Sequence, residues 1–319
     1  MMNETPGLLR FTSHSDEVLD AIKHNAKFSL AIIGVGLIGG SLGLALKDRL
    51  GEKVYITANA RTAATMELAA KRKACDLATN DLAEAVGDAD IVFLSTPVLQ
   101  MVPMVEKLIP YLKKGAIVTD GGSTKAYIAD ELRRILPPGI VYVAGHPMTG
   151  KEKSGVEAAD KDLFVHHCYV VVKDTGAPEE AVNKIIDMAK TIGSSVTTID
   201  LRKHDRCASL ISHIPHVAAS ALVTLLDRSG DDLGDAMKLA AGGFKDTTRI
   251  ASSNADMWSD ILMTNREAVT THLESLKGIL DEVITAINEG DRDALHEFFA
   301  AAKRRRDVVI AETEKKFDL

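Results

Sequence analysis

The chain has 319 residues, 46% of them hydrophobic and 26% charged, a composition typical of a soluble globular protein large enough for two domains. Its net charge of -7 argues against a general nucleic-acid-binding surface, which needs a basic field. Three cysteines are too few for a disulfide framework, and the first 27 residues lack the apolar core of a signal peptide. We therefore expect a cytoplasmic protein with neither a nucleic acid nor a membrane as partner.

A polar lead-in, residues 1–27, opens the chain; it contains one short helical pattern, Ser15 to His24, and is expected to be mobile. From Phe28 onward, apolar stretches of strand length alternate with helical stretches. The predicted strands are Phe28–Gly34, Val54–Thr57, Ile91–Ser95, Ala116–Asp120, Ile140–Ala144, Cys168–Val172 and, as a possible last one, Ser195–Ile199. The predicted helices are Gly39–Leu50, Ala63–Lys73, Leu99–Leu112, Lys125–Leu136 and one that starts around Pro178. This alternation predicts an α/β fold with a doubly wound, Rossmann-type parallel sheet over residues 28–200.

After about Asp200 the strand signal ends and helical periodicity takes over. Between Leu262 and Ile287, apolar residues recur in two interleaved seven-residue series, at 262, 269, 276, 283 and at 273, 280, 287. Such a seam is typical of a helix packed along a partner helix, either within the domain or in a second subunit. We expect residues 201–319 to form an all-helical substrate and dimerisation domain, and the protein to be a homodimer.

The most informative segment is the G-x-G-x-x-G pattern that joins the first predicted strand to the first long helix. Gly34 permits a tight turn, Gly36 lets a pyrophosphate approach bare backbone, and Gly39 lets the helix sit close to the strand. The helix start offers unpaired N–H groups and a positive dipole end to the phosphates. The predicted dinucleotide contacts are Gly34, Gly36, Leu37, Ile38 and Gly39, together with Ser95, Thr96 and Pro97 after a neighbouring strand.

Two alternatives to dinucleotide binding remain open for this segment. One is a glycine-rich turn that binds nothing. The other is a membrane span, because Ser29 to Leu46 carries no charge, but five glycines and the break from strand to helix argue against it.

The end of the second predicted strand indicates which dinucleotide is used. An enzyme that prefers NAD usually carries an acidic residue there, which grips the ribose 2′-hydroxyl. Here no acid occurs between Lys53 and Met66, whereas Asn59, Arg61 and Thr62 supply donors and a positive charge for a 2′-phosphate. The sequence therefore favours NADP over NAD; the alternative is that Arg61 is only a surface residue beside a helix cap.

Three later segments carry the residue types that chemistry needs. In the first, Asp120-Gly-Gly-Ser123, the serine follows a strand end at the edge where open parallel sheets bind ligands, although it could equally be a helix N-cap. In the second, Gly145-His146-Pro147, the histidine should face the same cleft. There it can take a proton from a hydroxyl as hydride leaves the same carbon.

The third segment runs from Ser212-His213-Ile-Pro-His216 to Gly242, Arg249 and Trp258. His213 and His216 are three residues apart and share a helix face, but a metal site is weakly indicated because no third ligand matches the pair. Arg249 suits bidentate capture of a carboxylate. We predict no metal.

These motifs resemble those of the prephenate and arogenate dehydrogenases of tyrosine biosynthesis. The likeness covers roughly Phe28 to the C-terminal helices and rests on G-V-G-L-I-G-G-S, D-G-G-S-T-K, G-H-P-M-T-G-x-E-K-S-G, S-H-I-P-H and F-x-D-x-T-R-I-A. The third motif is the most specific of them. The resemblance implies a Rossmann-type domain, a helical dimerisation domain, and oxidation of a cyclohexadienol with loss of carbon dioxide.

The resemblance also implies roles for individual residues. His146 would be the base for the ring hydroxyl, Ser123 would contact that hydroxyl beside the nicotinamide, and Arg249 would hold a substrate carboxylate. His216, Trp258, His213 and Gly242 would line the pocket. Glu152 could meet the ammonium of arogenate or be a surface partner of a lysine, and it does not decide between the substrates. Prephenate is placed first and arogenate second on the breadth of the family alone. The chain departs from the NAD-using members at Ala58, where they carry an acid.

Two further interpretations compete with this one. Another NADP-linked dehydrogenase, acting on hydroxy acids or imines, would not need the G-H-P-M segment and commonly uses a lysine in the second domain. A non-catalytic sensor of NADP would keep the glycine loop but have no use for His146, Ser123 and Arg249 in one cleft.

Overall fold

A computed structural model describes residues 7–151 and 153–317. Its strands are β1 Arg10–Phe11, β2 Phe28–Ile33, β3 Val54–Asn59, β4 Leu77–Thr79, β5 Ile91–Leu94, β6 Ile117–Asp120, β7 Val141–Val143, β8 Gly145–Pro147, β9 Cys168–Val172 and β10 Ser195–Ile199. Its helices are α1 Asp16–Asn25, α2 Leu37–Leu50, α3 Ala63–Lys71, α4 Leu82–Val86, α5 Val98–Leu108, α6 Ala126–Ile135, α7 Glu179–Thr191, α8 Leu201–Ala208, α9 Ile214–Asp227, α10 Leu233–Leu239, α11 Gly242–Thr248, α12 Ala255–Thr264, α13 Arg266–Glu289 and α14 Arg292–Phe317.

Seven strands form the main sheet, in the order β1-β4-β3-β2-β5-β6-β7. All pairs from β4 to β7 are parallel, and only β1 runs antiparallel, along β4. The chain order reverses between β2 and β5, so the sheet is doubly wound and the predicted α/β class is confirmed. The side chains of β2 alternate between two hydrophobic clusters, Leu30 and Ile32 on one face and Ala31 and Ile33 on the other. Burial on both faces explains why this strand is a continuous apolar run.

Some predicted strands lie outside the main sheet. The segments 168–172 and 195–199 are strands as expected, but they form a separate three-stranded sheet in the order β10-β9-β8. In that sheet β9 runs parallel to β10 and antiparallel to β8. The strand β8, which contains His146, was not separated from β7 in the sequence because the apolar run continues through Ala144.

The N-terminal segment belongs to the sheet domain, so the expectation of a mobile lead-in is wrong for its described part. The helix α1 begins after Ser15, whose side chain caps it by accepting from the Val18 N–H. Leu19 and Ile22 on this helix are buried in a cluster with Tyr55 and Leu77. The short strand β1 then adds to the edge of the sheet.

Residues 201–317 contain no strand in the part of the chain that the structure describes, as predicted. The helices α8 and α9 form one rod that is interrupted by a π-helical turn, Ser209–His213. The predicted seam, by contrast, is not a single helix. It is broken at Asn265, which leaves helical geometry with φ -120° and ψ 35°. The Asn265 side chain instead donates to the backbone oxygen of Asp205, 2.7 Å away.

One arginine ties the segment that follows β8 to the domain of the main sheet. The guanidinium of Arg72, at the end of α3, donates to the carbonyl oxygens of Val156, Glu157 and Ala159. Gly40 on α2 faces the same segment, since a Cβ there would lie 3.0 Å from Ala159. The loop after His146 is therefore packed against α2 and α3.

Candidate active site

The candidate site lies at the carboxyl ends of β2, β5 and β6, beside the point where the strand order reverses. Open parallel sheets bind ligands at such a switch point. Gly34 turns the chain there with φ +94°, a conformation that favours glycine, and a Cβ would sit 2.8 Å from the Ser95 carbonyl carbon. Gly39 in α2 packs so close to the strand that a Cβ would lie 2.7 Å from Ile32 Cγ2. Both glycines thus have the backbone roles that the sequence pattern predicts.

Three observations fit a phosphate-bearing ligand at this turn. A Cβ on Gly36 would meet no other atom within 4 Å among the described residues, so the backbone is open on that side. The helix α2 begins at Leu37 and Ile38, and its first N–H groups have no partners within the helix. The buried hydroxyl of Thr96 finds no hydrogen-bond partner among the described residues. A bound dinucleotide would supply acceptors for these groups.

Neighbouring strand ends close the same crevice. Pro97 lies just before α5 and acts as its N-cap residue, which leaves it exposed at the rim. After β6, Gly121 packs against α2, since a Cβ there would lie 3.2 Å from Ile38 Cγ2. Ser95 donates its N–H to the Ile33 carbonyl oxygen and so continues the pairing of β5 with β2.

The end of β3 differs in part from the expected 2′-phosphate site. Asn59 is buried and its amide donates to the Thr79 carbonyl oxygen at 2.9 Å, a contact within the sheet. Thr62 accepts from the Thr65 N–H as the N-cap of α3, which uses the hydroxyl locally. Arg61 is exposed beside this cap and stays the candidate cation. Ala58, the position at which NAD-using relatives were expected to carry an acid, is buried in the core. An acid that faces the ribose would therefore lie at the last residue of β3 or beyond it.

Beneath the loop after β6 lies a buried polar network. The ammonium of Lys125 contacts the carboxylate of Asp120, which also accepts from the Tyr142 hydroxyl at 2.7 Å. Burial lowers the pKa of Lys125, and Asp120 opposes that effect. Lys125 also donates to the Gly145 carbonyl oxygen at 2.8 Å, which links the network to the residue before His146. This arrangement holds the ends of β6 and β8 together.

Ser123 lies in this loop, half-buried, between β6 and α6. It is not the helix N-cap that the sequence allowed, because α6 begins at Ala126 after Lys125. The two N–H groups at that helix start are instead bound by Asp205, which reaches across from α8. The Ser123 side chain is therefore not used to cap α6.

His146 is buried in β8, paired with Val170 of β9. Its Nδ1 lies 2.9 Å from Nε2 of His204, and the rings meet edge to face with centroids 5.1 Å apart. Burial, and then the neighbouring His204, Lys125 and His213, lower the pKa of His146 well below its ordinary value. At neutral pH the imidazole is uncharged and so can accept a proton.

A second cluster of rings surrounds Trp258 on α12. His216 stacks on the indole with 3.5 Å between centroids, and His213 meets it edge to face at 6.0 Å. Burial lowers the pKa of His213 to about 4. The indole N–H of Trp258 has no hydrogen-bond partner among the described residues, and the ring borders a cavity of about 670 Å³ with His216 and Ser253. This cavity can take the apolar ring of a ligand.

Three predicted site residues remain: Arg249, Gly242 and Glu152. Arg249 lies in an exposed turn after α11, near enough to His216 to lower the pKa of that imidazole, on which burial has the larger effect. Gly242 begins α11 and is exposed. Glu152 lies outside the described residues. No group of three or more histidine, cysteine, aspartate or glutamate side chains within residues 7–151 and 153–317 could hold a metal ion.

Three residues that were not predicted from the sequence lie next to the histidines of this site: His204, Asp205 and Asn265. His204 and Asp205 open the second domain on α8 and are buried. Asn265 donates from its side chain toward both Asp205 and His213. A His-Asp pair on a helix does not by itself indicate a functional site in the sequence. The residue that His204 contacts, His146, is 58 residues away in the chain.

The fold and the site together define an oxidoreductase that uses a nicotinamide dinucleotide, with a buried histidine next to the nucleotide crevice. Residues 42–198 match the family described as "Prephenate dehydrogenase, nucleotide-binding domain", and residues 200–301 match "Prephenate dehydrogenase, dimerization domain". The chain belongs to the prephenate dehydrogenase family and is an NAD(P)-dependent dehydrogenase.

Individual relatives agree with this membership. The chain is 33% identical over 282 residues to the prephenate dehydrogenase of Bacillus subtilis, covering 88% of this chain and 76% of the relative. A crystal structure of prephenate dehydrogenase from A. aeolicus, in complex with hydroxyphenyl propionate and NAD+, matches with TM-score 0.81 and 30% identity over 88% of this chain and 98% of that one. Arogenate dehydrogenase from Synechocystis matches with TM-score 0.76 and 31% identity, over 88% and 99% of the two chains.

Proposed function

We propose that this enzyme oxidises prephenate to 4-hydroxyphenylpyruvate, with loss of carbon dioxide, in tyrosine biosynthesis. One observation carries the proposal: an uncharged, buried imidazole, that of His146, lies beside the crevice that receives the nucleotide. The nicotinamide, when bound, supplies the hydride acceptor, so no metal is required. Hydroxy-acid or imine dehydrogenases and a non-catalytic sensor would have no use for this histidine.

Residues of the chain itself are assigned to proton transfer and to substrate binding. His146 takes the proton of the ring hydroxyl, a general-base role that contributes about 10²–10⁴-fold to the rate. Ser123 hydrogen-bonds the same hydroxyl, and Arg249 binds a carboxylate of the substrate with its planar guanidinium. His216, His213, Trp258 and Gly242 form the walls around the ring. Once the ring is oxidised, the carboxylate leaves as carbon dioxide and the ring becomes aromatic.

Arogenate is the second candidate substrate, because it differs from prephenate only in carrying an ammonium in place of the side-chain keto group. The similarity of the chain to the arogenate dehydrogenase of Synechocystis supports arogenate as a candidate substrate. Glu152 is the residue proposed to meet that ammonium. A glutamate that faces the pocket would favour arogenate by charge pairing.

NADP is proposed as the preferred cofactor, with NAD as the alternative. The support is the exposed Arg61 beside the N-cap of α3, and the lack of any acid between Lys53 and Met66. A guanidinium suits a 2′-phosphate, whereas an acid at this strand end would repel it. The cytoplasm, which supplies both dinucleotides, is the proposed compartment.

A homodimer is the proposed assembly. The described helix Leu201–Asp227 is long and apolar enough to span a membrane by length and composition, but only 17% of its most apolar window is buried in one chain. Leu210, Ile211 and Leu225 on this rod, with Leu280 and Ile287 on α13, are large exposed hydrophobic residues. The match to a dimerization domain supports covering them with a second copy.

The test is a steady-state comparison of both substrates with both cofactors, followed at 340 nm. Turnover of prephenate with NADP above the other three combinations is expected. Reduction of the cofactor by a hydroxy acid, and by neither cyclohexadienol, would instead favour a hydroxy-acid dehydrogenase. Absence of turnover with all four combinations would end the proposal.

A further inference from the structure

Three buried side chains form a continuous hydrogen-bonded row from the nucleotide-binding half into the helical half. Nδ1 of His146 lies 2.9 Å from Nε2 of His204, and Nδ1 of His204 lies 2.8 Å from Oδ1 of Asp205. All three residues are less than a tenth exposed. The row therefore runs in a dry environment, where each hydrogen bond fixes its neighbour strongly.

Asp205 is the fixed end of the row. Its Oδ1 accepts from the Lys125 N–H at 2.8 Å and its Oδ2 from the Ala126 N–H at 2.9 Å, at the start of α6. Burial by itself raises the pKa of Asp205, but the hydrogen bond from His204 and those from the two N–H groups outweigh it and lower the pKa. Asp205 is therefore an ionised carboxylate at neutral pH and accepts hydrogen bonds only.

The ionised carboxylate determines where the protons of both imidazoles lie. Because Asp205 only accepts, Nδ1 of His204 must donate, so in neutral His204 the other nitrogen, Nε2, is bare. That bare nitrogen accepts from Nδ1–H of His146. The remaining nitrogen of His146, Nε2, then keeps its lone pair.

We propose that His204, held by Asp205, is a positioning residue that keeps His146 in the Nδ1–H tautomer and leaves Nε2 free to act as the base. The inference rests on the proposed role of His146 in the reaction. When Nε2 takes the substrate proton, Nδ1–H continues to donate to His204, and the carboxylate beyond it stabilises the positive charge on the ring pair. His204 and Asp205 thus act on the reaction only through His146.

The alternative is that the His146–His204 contact is purely structural and only holds the two domains together. The chain offers a control for that reading, because Thr124 and Thr264 also join the two halves, with hydroxyl oxygens 2.9 Å apart. The substitution Thr264→Val removes this tie with little change of volume and leaves the histidine row intact.

The decisive measurement is a long-range ¹H–¹⁵N correlation spectrum of the full chain labelled with ¹⁵N-histidine, recorded without cofactor above pH 7. The His146 signals are identified by their loss in His146→Asn. We expect the proton on Nδ1 in the native protein and in Thr264→Val, and its movement to Nε2 in His204→Leu. A native spectrum with the proton on Nε2, or no change in His204→Leu, would overturn the inference.

Kinetics supply the second readout. We expect His204→Leu to lower kcat by about 10²-fold, the lower end of a general base's contribution, while KM changes little. His204→Gln should recover part of kcat, because its amide oxygen can accept from Nδ1–H of His146. An equal and small loss in His204→Leu and Thr264→Val would show a domain tie only and reject the positioning role.

These outcomes separate the inference from the proposed function. The native spectrum, assigned with His146→Asn, does not depend on His204→Leu, so it decides the tautomer even where His204→Leu fails to fold. The turnover of His146→Asn decides the base role independently of the tautomer. Unchanged turnover there would remove the base assignment while leaving the observed protonation pattern in place.

Discussion

The imidazole of His216 lies stacked on the indole of Trp258, with the ring planes 25° apart. Trp258 is the only tryptophan in the sequence, so the tryptophan fluorescence of the protein reports the surroundings of this one indole, in which His216 is the stacked neighbour. A protonated imidazole against an indole quenches its emission, so acidification should quench the signal. Burial lowers the pKa of His216, the hydrogen bond to the Ser212 carbonyl oxygen opposes this, and Arg249 adds to it. We therefore expect the quenching midpoint below pH 6.5.

The control for this titration is His216→Asn. It should abolish the main quenching step and leave only a weaker step near pH 4, where His213 at the indole edge takes up its proton. A midpoint at or above pH 6.5, or one that survives in His216→Asn, would contradict the stacked geometry in solution.

Replacing His146 by asparagine keeps size and polarity but removes basicity. We expect kcat to fall by about 10²–10⁴-fold with the fold unchanged by circular dichroism. Because the pKa of His146 is lowered, the native imidazole stays in its uncharged, proton-accepting form as the pH falls through 6.5. The kcat of the native enzyme should thus be flat through neutral pH and decline only on the acid side of the ordinary histidine range. A decline centred at or above 6.5 would argue against His146 as the base.

The exposed guanidinium of Arg61 tests the choice of dinucleotide. In Arg61→Ala we expect KM for NADP to rise about 5–30-fold, the loss of one exposed charged hydrogen bond, while KM for NAD stays as it was. Lys71→Ala, at the opposite end of α3 and equally exposed, is the matched control and should alter neither value. Equal changes for both dinucleotides would mean that Arg61 does not bind the 2′-phosphate.

Arg249 tests the binding of the substrate carboxylate. The substitution Arg249→Ala should raise KM for prephenate about 10–100-fold, with a smaller effect on kcat, because the charged hydrogen bonds form on binding. Arg249→Lys keeps the charge but not the two-pronged geometry, so it should recover only part of the affinity. An unaltered KM in Arg249→Ala would remove the carboxylate role.

Gly43 tests the packing that positions the glycine turn. A Cβ at this position of α2 would run into the Ala74 carbonyl oxygen, a backbone atom that cannot swing away. We expect Gly43→Ala to lower the free energy of unfolding by about 1–3 kcal/mol. Gly278→Ala in α13, where a Cβ meets nothing within 4 Å among the described residues, should be neutral or stabilising. Chemical denaturation of both variants checks the pair; a stable Gly43→Ala would argue against the close contact of α2 with residue 74.

The parts of the fold that were predictable are those with local physical causes. A long apolar run followed by spaced glycines is a strand, a turn and a helix, and β2 and α2 have the predicted order and nearly the predicted bounds. Short elements carry too few residues for a period to show, which is why β1, β4 and α4 were missed. The seam between Leu262 and Ile287 was predicted as one helix because the apolar spacing is not disturbed by a single polar residue. In the structure, Asn265 interrupts the helix there and makes a long-range hydrogen bond to Asp205.

The site was predictable only where a residue follows a strand end. His146 and the glycines were found by that argument, and their backbone surroundings agree with it. The hydrogen bond of Asn59 to Thr79 was not predicted, because the sequence cannot show that these two residues lie side by side. His204 and Asp205 were missed for the same reason: their meaning comes from neighbours 58 and 80 residues away in the chain.

The position of Arg72 has a consequence for redesign of the enzyme. One end of α3 carries the cap beside Arg61, and the other is followed by the guanidinium of Arg72, which binds the loop downstream of His146. A helix transplanted from an NAD-specific relative to switch coenzyme would also change how that loop is anchored. Engineering of the coenzyme choice should therefore exchange the first turn alone and retain the arginine at the far end.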